Sequence, residues 1–139
     1  MVGLDAASAF DPRVLRIMQR RDEIRAAVER LEIQVGPHTP SRTPSATAGS
    51  IPIKCVLDAR GELAHLWDQQ ALLHRDVVAI ETPIAVARWM SGGALRDSDP
   101  LVDQARRASE DAFAAIKAVQ LLVDEATGAV ALEDTDETA

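Results

Sequence analysis

The chain has 139 residues, of which 47% are apolar, and its formal net charge is −7 at pH 7. This apolar fraction is enough to bury the core of one domain, which excludes wholesale disorder. The acidic balance argues against a non-specific nucleic-acid binder, because such a protein displaces counterions with a basic surface.

The cysteine count and the apolar runs bound the class of protein further. A single cysteine, Cys55, excludes an intrachain disulfide and a cysteine-based metal cluster. Near the start, Asp5 lies where a secretory signal has basic residues and an unbroken apolar run. No uncharged apolar stretch approaches the ~20 residues that a membrane-spanning helix needs. We therefore expect a cytoplasmic protein with no membrane segment.

The first predicted element is a helix over residues 12–35. Asp11 can cap its start, and Pro12 suits a first turn in which no backbone N–H is needed, while Gly36 favours an end. An apolar seam runs along it at alternating spacings of three and four residues, namely Val14, Ile17, Ile24, Val28, Leu31 and Val35. Arg21 fills the one gap. Such spacing is typical of coiled coils and helical bundles.

Residues 51–66 admit two interpretations. An alternation of apolar residues near 51–57, followed by Gly61, favours a short extended piece or a hairpin. A heptad spacing that continues over residues 63–84 favours a helix over 61–81. The long periodicity carries more weight, and the hairpin remains an alternative.

Two more helices are predicted towards the end of the chain. A threonine–proline pair opens a short helix over residues 82–91, which Gly92 ends. An aspartate–proline pair at 99–100 opens a long helix with a third heptad seam, closed by Gly128. The acidic residues beyond it predict a disordered tail over residues 129–139.

These elements predict a mainly α fold in which three long helices with heptad seams pack as a bundle or coiled coil. One short extra helix and the extended piece or hairpin would complete it. Four regions are expected: an N-terminal amphipathic helix (1–35), a linker rich in proline, serine and threonine (36–50), a small helical domain (51–128) and the acidic tail.

Each seam contains one polar residue near its start, namely Arg21, Gln70 and Ser109. A polar group inside a seam reduces stability and can fix the register or the oligomeric state. Such a residue can instead lie at an exposed helix end. Arg21 is the most informative, because a buried guanidinium needs a carboxylate or several acceptors.

Basic residues suggest two binding hypotheses. Arg13, Arg16 and Arg20 share one helical face and could bind a phosphate or an acidic partner, although such faces are usually solvated. Residues 61–91 faintly resemble a helix-turn-helix whose second helix would present Arg88 to DNA. The alternative function is thus a DNA-binding regulator with the first helix as dimeriser.

Catalytic and metal-binding signals are weak. Glu62 and His65 have the spacing of two ligands on one helix face, but a di-metal bundle needs this motif twice. Cys55 lies in an apolar stretch that favours packing over nucleophilic chemistry. The sequence therefore predicts no catalytic residue, no metal site and no cofactor.

The favoured function is a non-catalytic helical interaction or assembly protein, such as an adaptor, a structural subunit or a regulatory partner. It would act by burying an amphipathic helix face against another protein or a second copy of itself, and we expect a homo-oligomer. The candidate interface residues are Val14, Leu15, Ile17, Met18, Arg21, Ile24, Val28 and Leu31. Further apolar residues off the seams could add to this surface, namely Trp67, Leu72 and Phe113. Whether the first helix packs on its own chain or on another stays open.

Overall fold

The computed structural model of the chain describes residues 11–39, 53–92 and 100–138, except the side chains of 130–138. Three helices are present in these ranges, α1 (Pro12–Val35), α2 (Ile53–Met90) and α3 (Pro100–Thr138), and a 3-10 turn, Gly36–His38, follows α1. No strand occurs among the described residues. The three helices pack against each other through their seams, which confirms the predicted mainly α bundle.

The helices contribute to two compact units, and each helix continues from one unit into the other. Within the described ranges, the first unit comprises residues 11–24, 69–92 and 100–113, and the second comprises residues 25–39, 53–68 and 114–138. The apolar core of the first unit consists of Val14, Ile17, Ile24, Leu73, Val77, Ile80, Val102, Ala105, Ala108 and Ala112. That of the second consists of Val28, Leu31, Val35, Val56, Ala59, Leu63, Leu66, Ile116, Val119, Leu122, Val123 and Ala126.

Helix α1 begins and ends where the sequence predicts. The Asp11 carboxylate accepts the backbone N–H groups of Arg13 (2.9 Å) and Val14 (3.4 Å), two donors that have no partner within the helix. At the other end, the Thr39 hydroxyl donates to the carbonyl of Val35 at 2.8 Å. The remainder of the predicted linker, residues 40–50, lies outside the described part of the chain.

Helix α2 corrects two predictions at once. It is continuous from Ile53 to Met90, so the extended piece or hairpin is wrong for residues 53–66, and residues 82–91 are not a separate helix. Pro83 lies inside the helix, and both Pro83 and Ala79, whose carbonyl loses its N–H partner, are exposed. Water can therefore hydrogen-bond to that carbonyl, which reduces the cost of the proline. The helix ends at Met90, and Gly92, two residues further on, has a φ of +69°, the left-handed conformation that follows many helix ends.

Helix α3 is longer than predicted. It passes through Gly128, which adopts no positive φ, and reaches Thr138. One glycine inside a helix costs only about 1 kcal/mol, and the alanines and leucine that follow it favour helix. The backbone over 129–138 thus differs from the disordered tail that the acidic residues suggest. The predicted cap at Asp99 lies outside the described residues.

Candidate functional site

The predicted interface on α1 is occupied within the chain itself. Five of its residues, Val14, Ile17, Ile24, Val28 and Leu31, are buried against α2 and α3, each at most 4% exposed. Of the other apolar candidates, Leu15 is exposed and Met18 is half-buried. The α1 seam can therefore meet another chain only if α1 first leaves its own bundle.

Arg21 lies at the margin of the first unit and not in its core. Its guanidinium contacts Asp22 at 2.9 Å and Asp111 of α3 at 3.8 Å, and about a fifth of the side chain is exposed. These two carboxylates supply the partners that a half-buried guanidinium needs. Exposed ion pairs of this kind contribute little to stability, so Arg21 mainly keeps its charge solvated beside the seam.

The other two polar seam residues meet inside the first unit. The amide nitrogen of Gln70 donates to the carbonyl oxygen and to the hydroxyl of Ser109, at 3.1 and 3.2 Å. Gln70 is 7% exposed, and its amide oxygen is buried with no hydrogen-bond partner. This hydrogen-bonded pair fixes the register of α2 against α3, as expected of a polar residue in a seam. The cost is the desolvation of the unpaired amide oxygen.

The three arginines of the predicted basic face have different surroundings. Arg13 binds the Asp11 carboxylate at 3.1 Å, and this hydrogen bond lowers the pKa of Asp11 and raises that of Arg13. Arg20 donates to the side-chain oxygen of Gln69 at 3.0 Å and lies 3.9 Å from Asp76. Arg16 is exposed. Two of the three guanidinium groups thus have partners within the chain.

The segment proposed as a DNA reader has no helix-turn-helix geometry. Residues 61–91 lie almost entirely within the continuous helix α2, so the turn that separates the two helices of this motif is absent. Arg88 is half-buried and interacts within the chain. Trp89, the next residue, is 82% exposed.

The described residues contain no group of three or more histidine, cysteine, aspartate or glutamate side chains that could hold a metal ion. Glu62 and His65 are both exposed. Cys55 is a free, half-buried thiol in the second unit, 3.9 Å from the backbone oxygen of Gln34. It lines a shallow apolar groove together with His38 and core residues of that unit.

The largest unexplained feature is an apolar surface on the exposed side of α2, opposite its buried seam. We call it the outward stripe. Its large apolar members are all at least 41% exposed, namely Ile53, Leu57, Leu72, Val78, Val86, Trp89 and Met90. Its small members are Gly61, Ala64, Ala71 and Ala79, and its polar members are Lys54, Arg60, Asp68, Arg75 and Thr82. Trp89 and Met90, at 82% and 75%, are among the most exposed.

Helical geometry explains why these residues share one side. They recur at spacings of three and four along α2, half a turn away from the seam that contains Leu66, Leu73 and Val77. The two stripes together make α2 apolar on opposite sides. This second periodicity is visible in the sequence, but the small and charged residues within it weaken the signal. From the sequence, Leu72 is predicted only as a single apolar residue off the seam.

No helix in the described part of the chain is long and apolar enough to cross a membrane. Comparison of the chain with models of protein families, with curated proteins and with solved structures finds no match.

Proposed function

We propose that this chain is a non-catalytic helical interaction or assembly protein that acts by docking the outward stripe of α2 onto another protein chain. The observation that supports this function is the exposure of seven large apolar side chains along one side of one helix. Single exposed apolar residues are ordinary, whereas several large ones along one side of the same helix are typical of a protein interface.

The amount of apolar surface is consistent with docking. The seven large side chains expose between 41% and 82% of their residue surface. Together this is on the order of 700 Å², close to the ~800 Å² that each partner buries in a stable interface. Removing this surface from water is the main favourable term in association.

The position of the surface differs from the one that the sequence indicates. A partner that used the α1 seam would have to expose the apolar cores of both units, since Val14 and Ile17 are buried in one and Val28 and Leu31 in the other. Docking on the outward stripe needs no such unfolding. The proposed mechanism is still burial of an apolar helix face, but the face lies on α2 instead of α1.

Site-specific photo-crosslinking in the cells that make the protein tests this function. A benzophenone-bearing residue replaces Val86 on the outward stripe or, as a control, Gln104, an exposed residue of α3 in the same unit. We expect an adduct of discrete mass from position 86 and none from position 104. Equal labelling at both positions, or no protein adduct at position 86, would refute the proposed function.

A further inference from the structure

The charges at the centre of the outward stripe indicate what kind of partner fits it. Between Ala64 and Thr82, the charged residues within the stripe are Asp68 and Arg75, which are seven residues apart and both exposed. Neither has an ion-pair partner among the described residues. Two opposite charges at heptad spacing can be matched by the same two charges in reverse order.

That reverse order is supplied by a second copy of α2 that runs antiparallel to the first. If the twofold axis passes between Ala71 and Leu72, Asp68 of each copy faces Arg75 of the other. A closed twofold interface of this kind uses the same surface on both subunits. A parallel pairing would instead place Asp68 on Asp68 and Arg75 on Arg75, which is repulsive.

The apolar residues match in the same register. Leu57 faces Val86 of the second copy, and Ile53 faces its Met90, so the large exposed side chains at one end of the stripe cover those at the other. Lys54 comes opposite Trp89, which is 82% exposed in the single chain, and an ammonium group is attracted to the face of an indole. At the axis, Ala71 lets the two helices approach closely.

We propose that the outward stripe binds a second copy of this chain through antiparallel pairing of the two α2 helices, with two reciprocal Asp68–Arg75 ion pairs at the centre. This inference rests on the proposed function, because it names the partner of the same surface. Partners of different sequence would have to reproduce both the apolar length and the charge order, whereas a second copy supplies both.

Sedimentation equilibrium of the full chain and its charge variants tests the proposal. We expect the wild type to dimerise and D68R or R75D alone to raise the dissociation constant about tenfold or more, since each converts two attractions into two repulsions. The double variant D68R/R75D restores the ion pairs in reverse and should recover dimerisation. Equimolar D68R and R75D chains should form a heterodimer when mixed, because one chain is then basic and the other acidic at these positions.

A matched control is available on α3, where Lys117 and Asp124 are also exposed and seven residues apart. K117D and D124R change the net charge as R75D and D68R do, and they should leave the dissociation constant within about twofold of the wild type. Helix content by circular dichroism should be unchanged in all variants, since each residue is exposed.

Four outcomes would overturn self-pairing. A wild type that sediments as a monomer at all concentrations refutes it, as does failure of the double variant or of the mixture to recover the dimer. The crosslinking experiment distinguishes failure of self-pairing from failure of the proposed function. An adduct at position 86 that contains a different protein would support the proposed function and exclude a second copy of this chain as the partner.

Discussion

The two sides of α2 show how similar residues reach different surroundings in one helix. Leu72 and Leu73 are neighbours in sequence, yet Leu73 is 0% exposed and Leu72 is 42% exposed. Both belong to stripes with helical periodicity. Periodicity therefore identifies the stripes of a helix but does not by itself indicate which stripe the chain buries against its own helices.

Replacing each leucine by alanine in turn tests the difference between the two sides of α2 most directly. Leu73→Ala should lower the free energy of unfolding by about 2–5 kcal/mol, because it leaves a cavity in a packed core. Leu72→Ala should change it by less than about 0.5 kcal/mol in the monomer. Urea denaturation at protein concentrations that favour the monomer measures both. Equal losses would mean that the outward stripe is packed within the chain.

The second prediction sharpens the description of the inward side of α2, where the buried Gln70 donates a hydrogen bond to Ser109 of α3. The double variant Gln70→Leu, Ser109→Ala removes the buried amide oxygen that lacks a partner. We expect the free energy of unfolding to rise by roughly 1 kcal/mol, since replacing both members of a buried polar pair by apolar groups is often stabilising. Thermal unfolding measures this change. A decrease in the free energy of unfolding would show instead that the pair contributes net stability.

Much of the fold could be predicted because each seam repeats its apolar spacing over more than twenty residues, so many weak preferences for a helix add up. The wrong predictions are those that depend on one or two residues and conflict with the longer apolar spacing. Gly61 and Pro83 suggested breaks in α2, but both lie on its exposed side, so the buried seam continues past them. A break at Gly128 was expected for the same reason. Each isolated signal was outweighed by the helix around it.

The candidate site was harder to predict than the fold. Regular spacing drew the prediction to Val14, Ile17 and the other seam residues of α1, and the chain buries these itself. The outward stripe mixes large apolar residues with small ones and with charged residues such as Asp68 and Arg75, which weakens its pattern in the sequence.

The third prediction concerns Gly61 on the outward side of α2. A Cβ built there meets no atom within 4 Å, so alanine should fit without displacing a neighbour. Gly61→Ala should raise the free energy of unfolding of the monomer by roughly 0.5–1 kcal/mol through the greater helix propensity of alanine. Chemical denaturation tests this. Destabilisation would contradict a continuous helix at this position.

The smallest effect is expected at the cap of α1, away from both sides of α2. The hydrogen bond from Arg13, aided by the backbone N–H groups of Arg13 and Val14, lowers the pKa of Asp11 in the folded state. The stabilisation by this carboxylate is therefore present above the ordinary aspartate pKa and is lost as the pH falls through the lowered value.

Amide hydrogen exchange at Val14 as a function of pH measures this loss. In the wild type, protection of this amide should fall in acid relative to that of Ile24, which lies further along the helix. In Asp11→Asn the difference between the two amides should not change across the same pH range. An acid-dependent difference that persists in Asp11→Asn would place the titrating group elsewhere.

The two tryptophans give the protein a pair of internal optical reporters, since the sequence contains no tyrosine. The indole N–H of Trp67, half-buried in the second unit, donates to Gln120 at 3.0 Å, so its emission follows the contact between α2 and α3 there. Trp89 is surrounded mostly by water in the single chain. A blue shift of its emission with increasing protein concentration, in a variant that lacks Trp67, would register the covering of one side of α2 without any added label.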